Sequence, residues 1–271
     1  MKIARLLLST AYPFISMVAF AQSPKAIEAN LLKSFKRIDY WSHHPNENPL
    51  IIGDSLEAAN NAFGENLKAY SIKYPGTINQ TFTSLTKENL DIVTSDDLKF
   101  RIFSWDTWTG GTMHFFFNVL QYRVGEKTFA EVIRGAEDNY VPFYKRLYTF
   151  KAAGKTYYLA TYGTIFSTKD VGEGIKVFAI ENGKLNKAVN LIRTKSGLHN
   201  KLYYDYDFST IADWEITGKV SDWKDVPAIS FDITTNSIYL PVITDKGRAT
   251  GKFITYKFTG KYFEKVSTLA K

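Results

Sequence analysis

A chain of 271 residues with no cysteine cannot use disulfides, thiolate metal sites, a cysteine nucleophile or a lipid-modified N-terminal cysteine. Stability has to come from burial, and the length suffices for one large β-rich core or two smaller ones. The formal net charge is +7, but the basic residues are scattered without any run of four. That pattern excludes a nucleic-acid groove and leaves a mild preference for anionic surroundings such as envelope polymers.

Lys2 and Arg5 make a positive start, and Ala19-Phe20-Ala21 puts small residues at the −3 and −1 positions of a cleavage site. Between them, about 15 uncharged residues form an apolar segment shorter than the roughly 20 that span a membrane. Residues 1–21 therefore read as a cleavable secretory signal, with a retained anchor as the competing reading. Removing Lys2 and Arg5 takes the charge from +7 to +5. The expected working place is the periplasm or the outside of the cell, with no membrane embedding after cleavage.

The mature chain, 22–271, reads as one exported domain. Ile27, Leu31, Phe35 and Ile38 recur at helical spacing, and Pro45-Asn46 stops that helix just after His43-His44. Asp54-Ser55-Leu56-Glu57 has capping-box form and predicts a second helix, with Leu56, Ala59, Phe63, Leu67 and Tyr70 on one face until Tyr74-Pro75-Gly76. Gly64 weakens it. The two helices form a hairpin over 22–76.

From about Leu90 the period changes to two, with turns at regular intervals. The predicted strands are Leu90 to Thr94, Lys99 to Thr107, Met113 to Val124 and Thr128 to Ile133. Then come Tyr144 to Lys151, Lys155 to Ser167, Gly174 to Ile180 and Leu185 to Arg193. The last are Leu202 to Phe208, Ile229 to Ile233, Ser237 to Val242, Gly251 to Phe258 and Tyr262 to Val266. Asn182-Gly183 and Thr259-Gly260 are tight hairpin turns. The expected class is α+β, mostly β: a helical hairpin followed over 85–267 by antiparallel meanders, as a twisted sheet, sandwich or open barrel. Three strand groups are too few for a closed propeller. An outer-membrane barrel conflicts with the leading helices, and the turns show no contrast of short and long between the two ends.

Chemistry-bearing residues are densest in Ser104-Trp105-Asp106-Thr107-Trp108-Thr109-Gly110-Gly111-Thr112-Met113-His114. Strand alternation sends Trp105 to one face with Phe103 and Thr107, and Asp106 to the other with Ser104. One reading makes this turn a ligand-binding rim, with Trp105, Asp106, Trp108 and His114 as its residues: Trp108 exposed for stacking, Trp105 rooted in the core, and Asp106 and His114 as polar partners. The other makes it a hairpin whose tryptophans plug the core.

No metal is expected. His43, His44, His114 and His199 have no ligand spacing, and Asp205 with Asp207 beside Tyr203 lacks a third carboxylate for Ca²⁺. No nucleophile motif occurs, and Gly172-Glu173-Gly174 is not a phosphate loop, so no cofactor is expected. The residues thus predict an exported envelope protein that binds a carbohydrate, an envelope polymer or a protein partner through an aromatic-lined surface, without catalysis. The rival is an exported hydrolase using dispersed carboxylates or a histidine as acid–base group.

Overall fold

The computed structural model describes residues 22–44, 48–136, 139–207, 228–244 and 249–270, without the side chains of 249 and 267–270. The expected signal segment, the Pro45-Asn46 helix stop and Phe208 lie outside the described residues.

Two long helices come first, α1 (Pro24–Ser42) and α2 (Pro49–Lys73). The Ser23 side chain caps α1 by accepting from the Ala26 amide at 3.2 Å. α1 buries the predicted stripe of Ile27, Leu31, Phe35 and Ile38. α2 begins at Pro49 rather than at Asp54. Asn48 caps the Leu50 amide at 3.0 Å, and proline in the first turn gives up no needed N–H, so Asp54-Ser55-Leu56-Glu57 lies inside the helix. Gly64 has a packing reason: a Cβ there would sit 3.2 Å from Val132 Cγ1 and 3.5 Å from the Trp105 ring. Its missing side chain lets α2 lie close on the sheet. A 3₁₀ turn at Pro75–Asn79 and the short α3 (Thr83–Lys87) lead into the strands.

β1 (Asp91–Thr94), β2 (Phe100–Asp106), β3 (Phe116–Val124) and β4 (Lys127–Arg134) form the antiparallel sheet 1 in chain order. Buried Arg101 ties it to the preceding turn, donating to the carbonyls of Thr77 at 2.8 Å and Gln80 at 2.7 Å. Burial pulls its guanidinium down to about 10.

β5 (Phe143–Ala152), β6 (Lys155–Ile165) and β7 (Asp170–Glu181) open sheet 2, and the short β8 (Lys184–Asn186) pairs with β7. β9 (Ile192–Thr194) and β10 (Gly197–His199) belong to sheet 3, and β11 (Lys201–Asp207) returns to sheet 2 beside β7. β12 (Ser230–Asp232), β13 (Ser237–Ile243), β14 (Ala249–Phe258) and β15 (Phe263–Ala270) complete sheet 3, ordered β10-β9-β15-β14-β13-β12. The strand predicted from Leu185 to Arg193 is therefore two, in different sheets. Leu185 packs in the core between sheets 1 and 2, whereas Leu191 and Ile192 pack in the core beyond sheet 2.

The class is α+β, mostly β, with the helical hairpin followed by antiparallel meanders. The layers run helices, sheet 1, sheet 2, sheet 3. α1 and α2 cover Phe103, Trp105, Phe117 and Val119 on one face of sheet 1. Its other face sets Phe100, Ile102 and Leu120 against Tyr158, Ala160 and Phe178 of sheet 2. The far face of sheet 2 packs Phe150, Leu159 and Val177 against Phe231, Ile238 and Phe263 of sheet 3. Alternation along the strands of sheets 1 and 2 thus feeds a core on each face.

The expected equality of the two sheet ends is not found. One end of sheets 1 and 2 holds the two-residue turns Gly125-Glu126, Ala153-Gly154 and Asn182-Gly183, the last two with positive φ at both positions, the type I′ hairpin geometry, together with the five-residue β1–β2 connection. At the other end lie the longer connections 107–115, 135–142 and 166–169. Among the described residues no helix is long and apolar enough to cross a membrane.

Candidate functional site

The longer connections carry the candidate site. Trp105, one residue before the end of β2, points into the helix-facing core and is 1% exposed. Its ring meets Phe63 edge-on at 4.9 Å and Phe117 at 5.8 Å. The indole N–H donates to Asn60 Oδ1 at 2.9 Å, and the Asn60 amide donates to the carbonyls of Leu56 at 2.9 Å and Thr107 at 2.8 Å. A buried indole needs such a partner, and here the partner also pins the first residue of the loop to α2.

Asp106 faces the other way and organises the loop. Its Oδ1 accepts from the Trp108 amide at 2.9 Å, an Asx turn, and its Oδ2 accepts from Nδ1 of His114. The Thr107 amide and hydroxyl both donate to the Phe115 carbonyl, at 2.9 and 2.8 Å, closing the base of the loop. Gly110 is packed against backbone, for a Cβ there would stand 2.0 Å from the Met113 carbonyl oxygen. These contacts explain why β3 starts at Phe116 and not at Met113 as the alternation predicts: Met113 to Phe115 are held by the loop. The His114 amide then donates to the Ile165 carbonyl at 3.1 Å, fastening the loop to sheet 2.

Trp108 stands out of this frame. Its φ is +57°, a conformation that a bulky L-residue rarely adopts, and the side chain is 48% exposed. His43, the residue capping the C-terminus of α1, lies 5.9 Å from it ring to ring, and His114 lies 6.2 Å away. His114 in turn lies nearly parallel to Phe116 at 6.4 Å. With Nδ1 turned to Asp106, the Nε2 edge of His114 is the one available to a ligand. Alongside, Tyr140 packs on Phe115 at 6.1 Å and on Phe166 at 5.5 Å, and its hydroxyl reaches Met113 Sδ at 3.1 Å. Tyr140 is exposed as well, so the aromatic surface runs from one sheet to the next.

Of the four site residues read from the sequence, Asp106, Trp108 and His114 come together at the surface, and Trp105 lies beneath them in the core. His43, Tyr140 and Phe166 were missed. The signal that finds Tyr140 and Phe166 is parity: in antiparallel meanders alternate connections share an end, which brings the β2–β3, β4–β5 and β6–β7 loops together. Asp205 and Asp207 lie at the same end of sheet 2, on β11 opposite Gly172 and Asp170 of β7. The Tyr203 hydroxyl donates to Asp205, whose carboxyl is held above its usual range by burial and by Asp170. Among the described residues no three His, Cys, Asp or Glu side chains group as metal ligands.

The chemistry available is recognition and proton transfer. A carboxylate-oriented imidazole is the general-base half of a catalytic pair. Thr107 Oγ1 lies 2.7 Å from Thr109 Oγ1 and donates to the Phe115 carbonyl. A cavity of about 680 Å³ opens at the tight-turn end, away from Trp108. Compared with known proteins, the chain matches no family model and no curated protein.

Proposed function

We propose that this protein works after export and uses its aromatic end to hold a glycan strand of the cell envelope without changing it. The observation that carries the reading is Trp108. Left-handed backbone costs an L-residue about 1–2 kcal/mol, and glycine is the residue that avoids the cost. A tryptophan at that position, half exposed and flanked by two imidazoles, is strain retained for presentation of the ring. An indole face suits the C–H face of a sugar, while His43, His114 and Asp106 offer polar partners at its edge. The secretory character of residues 1–21 and the +5 charge of the remainder fit an envelope setting.

Co-sedimentation with purified peptidoglycan sacculi tests this. The mature protein should pellet with them, and Trp108→Ala should weaken the association by about tenfold or more, the loss expected of an aromatic anchor. Equal pelleting of the two proteins contradicts the reading.

The Asp106–His114 pair favours a second reading, a hydrolase that activates water through His114 Nε2. Release of soluble fragments by the wild type but not by His114→Gln would favour that reading over simple binding.

A further inference from the structure

The helical hairpin carries a groove of about 510 Å³ between α1 and α2, open to solvent. Lys33, Arg37 and Trp41 form one wall, each four residues from the next, so they stand in line along α1. Ala58, Ala59 and Ala62 of α2 face them, where an aspartate or glutamate would pair with the cations. Among the described residues no carboxylate lines the groove. Lys36, one turn position away, does pair, with Glu88 at 3.1 Å, and Asp39 is turned to His43 at 3.2 Å. Like charges at i and i+4 destabilise a helix, and the groove supplies no acid to offset Lys33 and Arg37.

The groove leads to the aromatic end. The Trp41 ring lies 6.3 Å from that of His44, and His43 between them in sequence meets Trp108 at 5.9 Å. Towards the far end, Asn30 donates to the Tyr70 hydroxyl at 3.2 Å and Asn66 donates to the Ser34 hydroxyl at 3.3 Å. Each asparagine keeps an amide oxygen that can accept. From Asn30 to Trp41 the helix rises roughly 16 Å, the length of about five extended residues.

We infer that this groove takes a short carboxylate-bearing peptide attached to the glycan strand, so that the ligand is a peptide-substituted glycan; the inference rests on the glycan reading above for the strand itself. Arg37 offers a planar fork and Lys33 a point charge to the carboxylates. The alanines leave room for the peptide backbone, and the asparagine oxygens accept from its N–H groups. Trp41 stands where the peptide joins the sugar held at Trp108.

The test is an NMR titration of the mature protein with a soluble disaccharide-tetrapeptide cut from peptidoglycan and, separately, with the same disaccharide lacking its peptide. The reporters are the amides of Ala58 and Ala62 in the groove and the indole N–H of Trp108 at the aromatic end. The disaccharide-peptide should shift both sets and bind at least about tenfold more tightly than the disaccharide, which should shift Trp108 alone. Lys33 and Arg37 are exposed, and glutamine suits a helix, so Lys33→Gln with Arg37→Gln keeps the fold. That double variant should cancel the tenfold gain. A peptide that adds no affinity, or a double variant that keeps the gain, would overturn the inference, while a shift at Trp108 leaves the glycan reading standing. Groove shifts with none at Trp108 would sink the glycan reading and spare the peptide site. No shift at either set would overturn both. Equal binding of a peptide with amidated carboxylates would overturn the carboxylate assignment.

Discussion

The two ends of sheets 1 and 2 are made from the same strands and differ in almost everything else. One end is closed by two-residue turns whose positive-φ residues match strand twist and by the five-residue β1–β2 connection, and the charged side chains around them are lysines, an arginine and carboxylates. The other end has longer connections, a positive-φ tryptophan and a run of exposed or half-buried aromatic rings. The positive-φ backbone at the first end falls on glycine, on Ala153 and Asn182 beside glycine, and on Leu98 in the β1–β2 connection. At the second end it is placed on Trp108, which register does not require. On the proposed binding function, the Ala153-Gly154 and Asn182-Gly183 turns serve the fold and the Trp108 turn serves a ligand.

Three substitutions probe the contrast. The largest effect is expected at Trp105, the root of the aromatic end. Trp105→Ala empties the contact between α2 and sheet 1 and strips Asn60 of its donor, so unfolding free energy should fall by about 3–5 kcal/mol. Urea denaturation measures it, and a loss below about 1 kcal/mol would mean that the helices are not anchored through this ring. A smaller effect is expected at the tight-turn end. Gly154 has φ +72° with open space around its missing Cβ, so Gly154→Ala should cost about 1–2 kcal/mol from conformation alone. No loss there would dissolve the distinction between strained and register-setting turns. The third substitution, at Trp108, has the smallest expected effect and is the most informative.

Much of this was legible in the sequence because period and punctuation are local. The stripe Ile27, Leu31, Phe35, Ile38 and the Asn182-Gly183 turn each announce their element without reference to the rest. Two kinds of feature were not legible. The start of α2 was expected at Asp54 from a capping-box pattern that in fact lies inside the helix, which is capped by Asn48. The break between β8 and β9 escaped because Leu185 and Ile192 are equally apolar, and only tertiary structure assigns them to different cores. For the site, alternation alone sent Trp105 inward and Asp106 outward. Its association with His43, some sixty residues earlier in the chain, depends on where the C-terminus of α1 ends over the sheet. Tyr140 and Phe166 depend on which end each hairpin connection occupies, a property of strand count and not of any motif.

The central claim is that Trp108 is held in a strained conformation for its ring and not for the fold. Replacing it with glycine tests this most directly, because glycine accepts φ near +57° without cost while removing the indole. Relief of the strain and the greater freedom of the unfolded chain are of similar size, near 1 kcal/mol each, and opposed. The unfolding free energy of Trp108→Gly by urea denaturation should therefore stay within about 1 kcal/mol of wild type. A loss above about 2 kcal/mol would contradict the account, for the ring would then be a structural plug like Trp105.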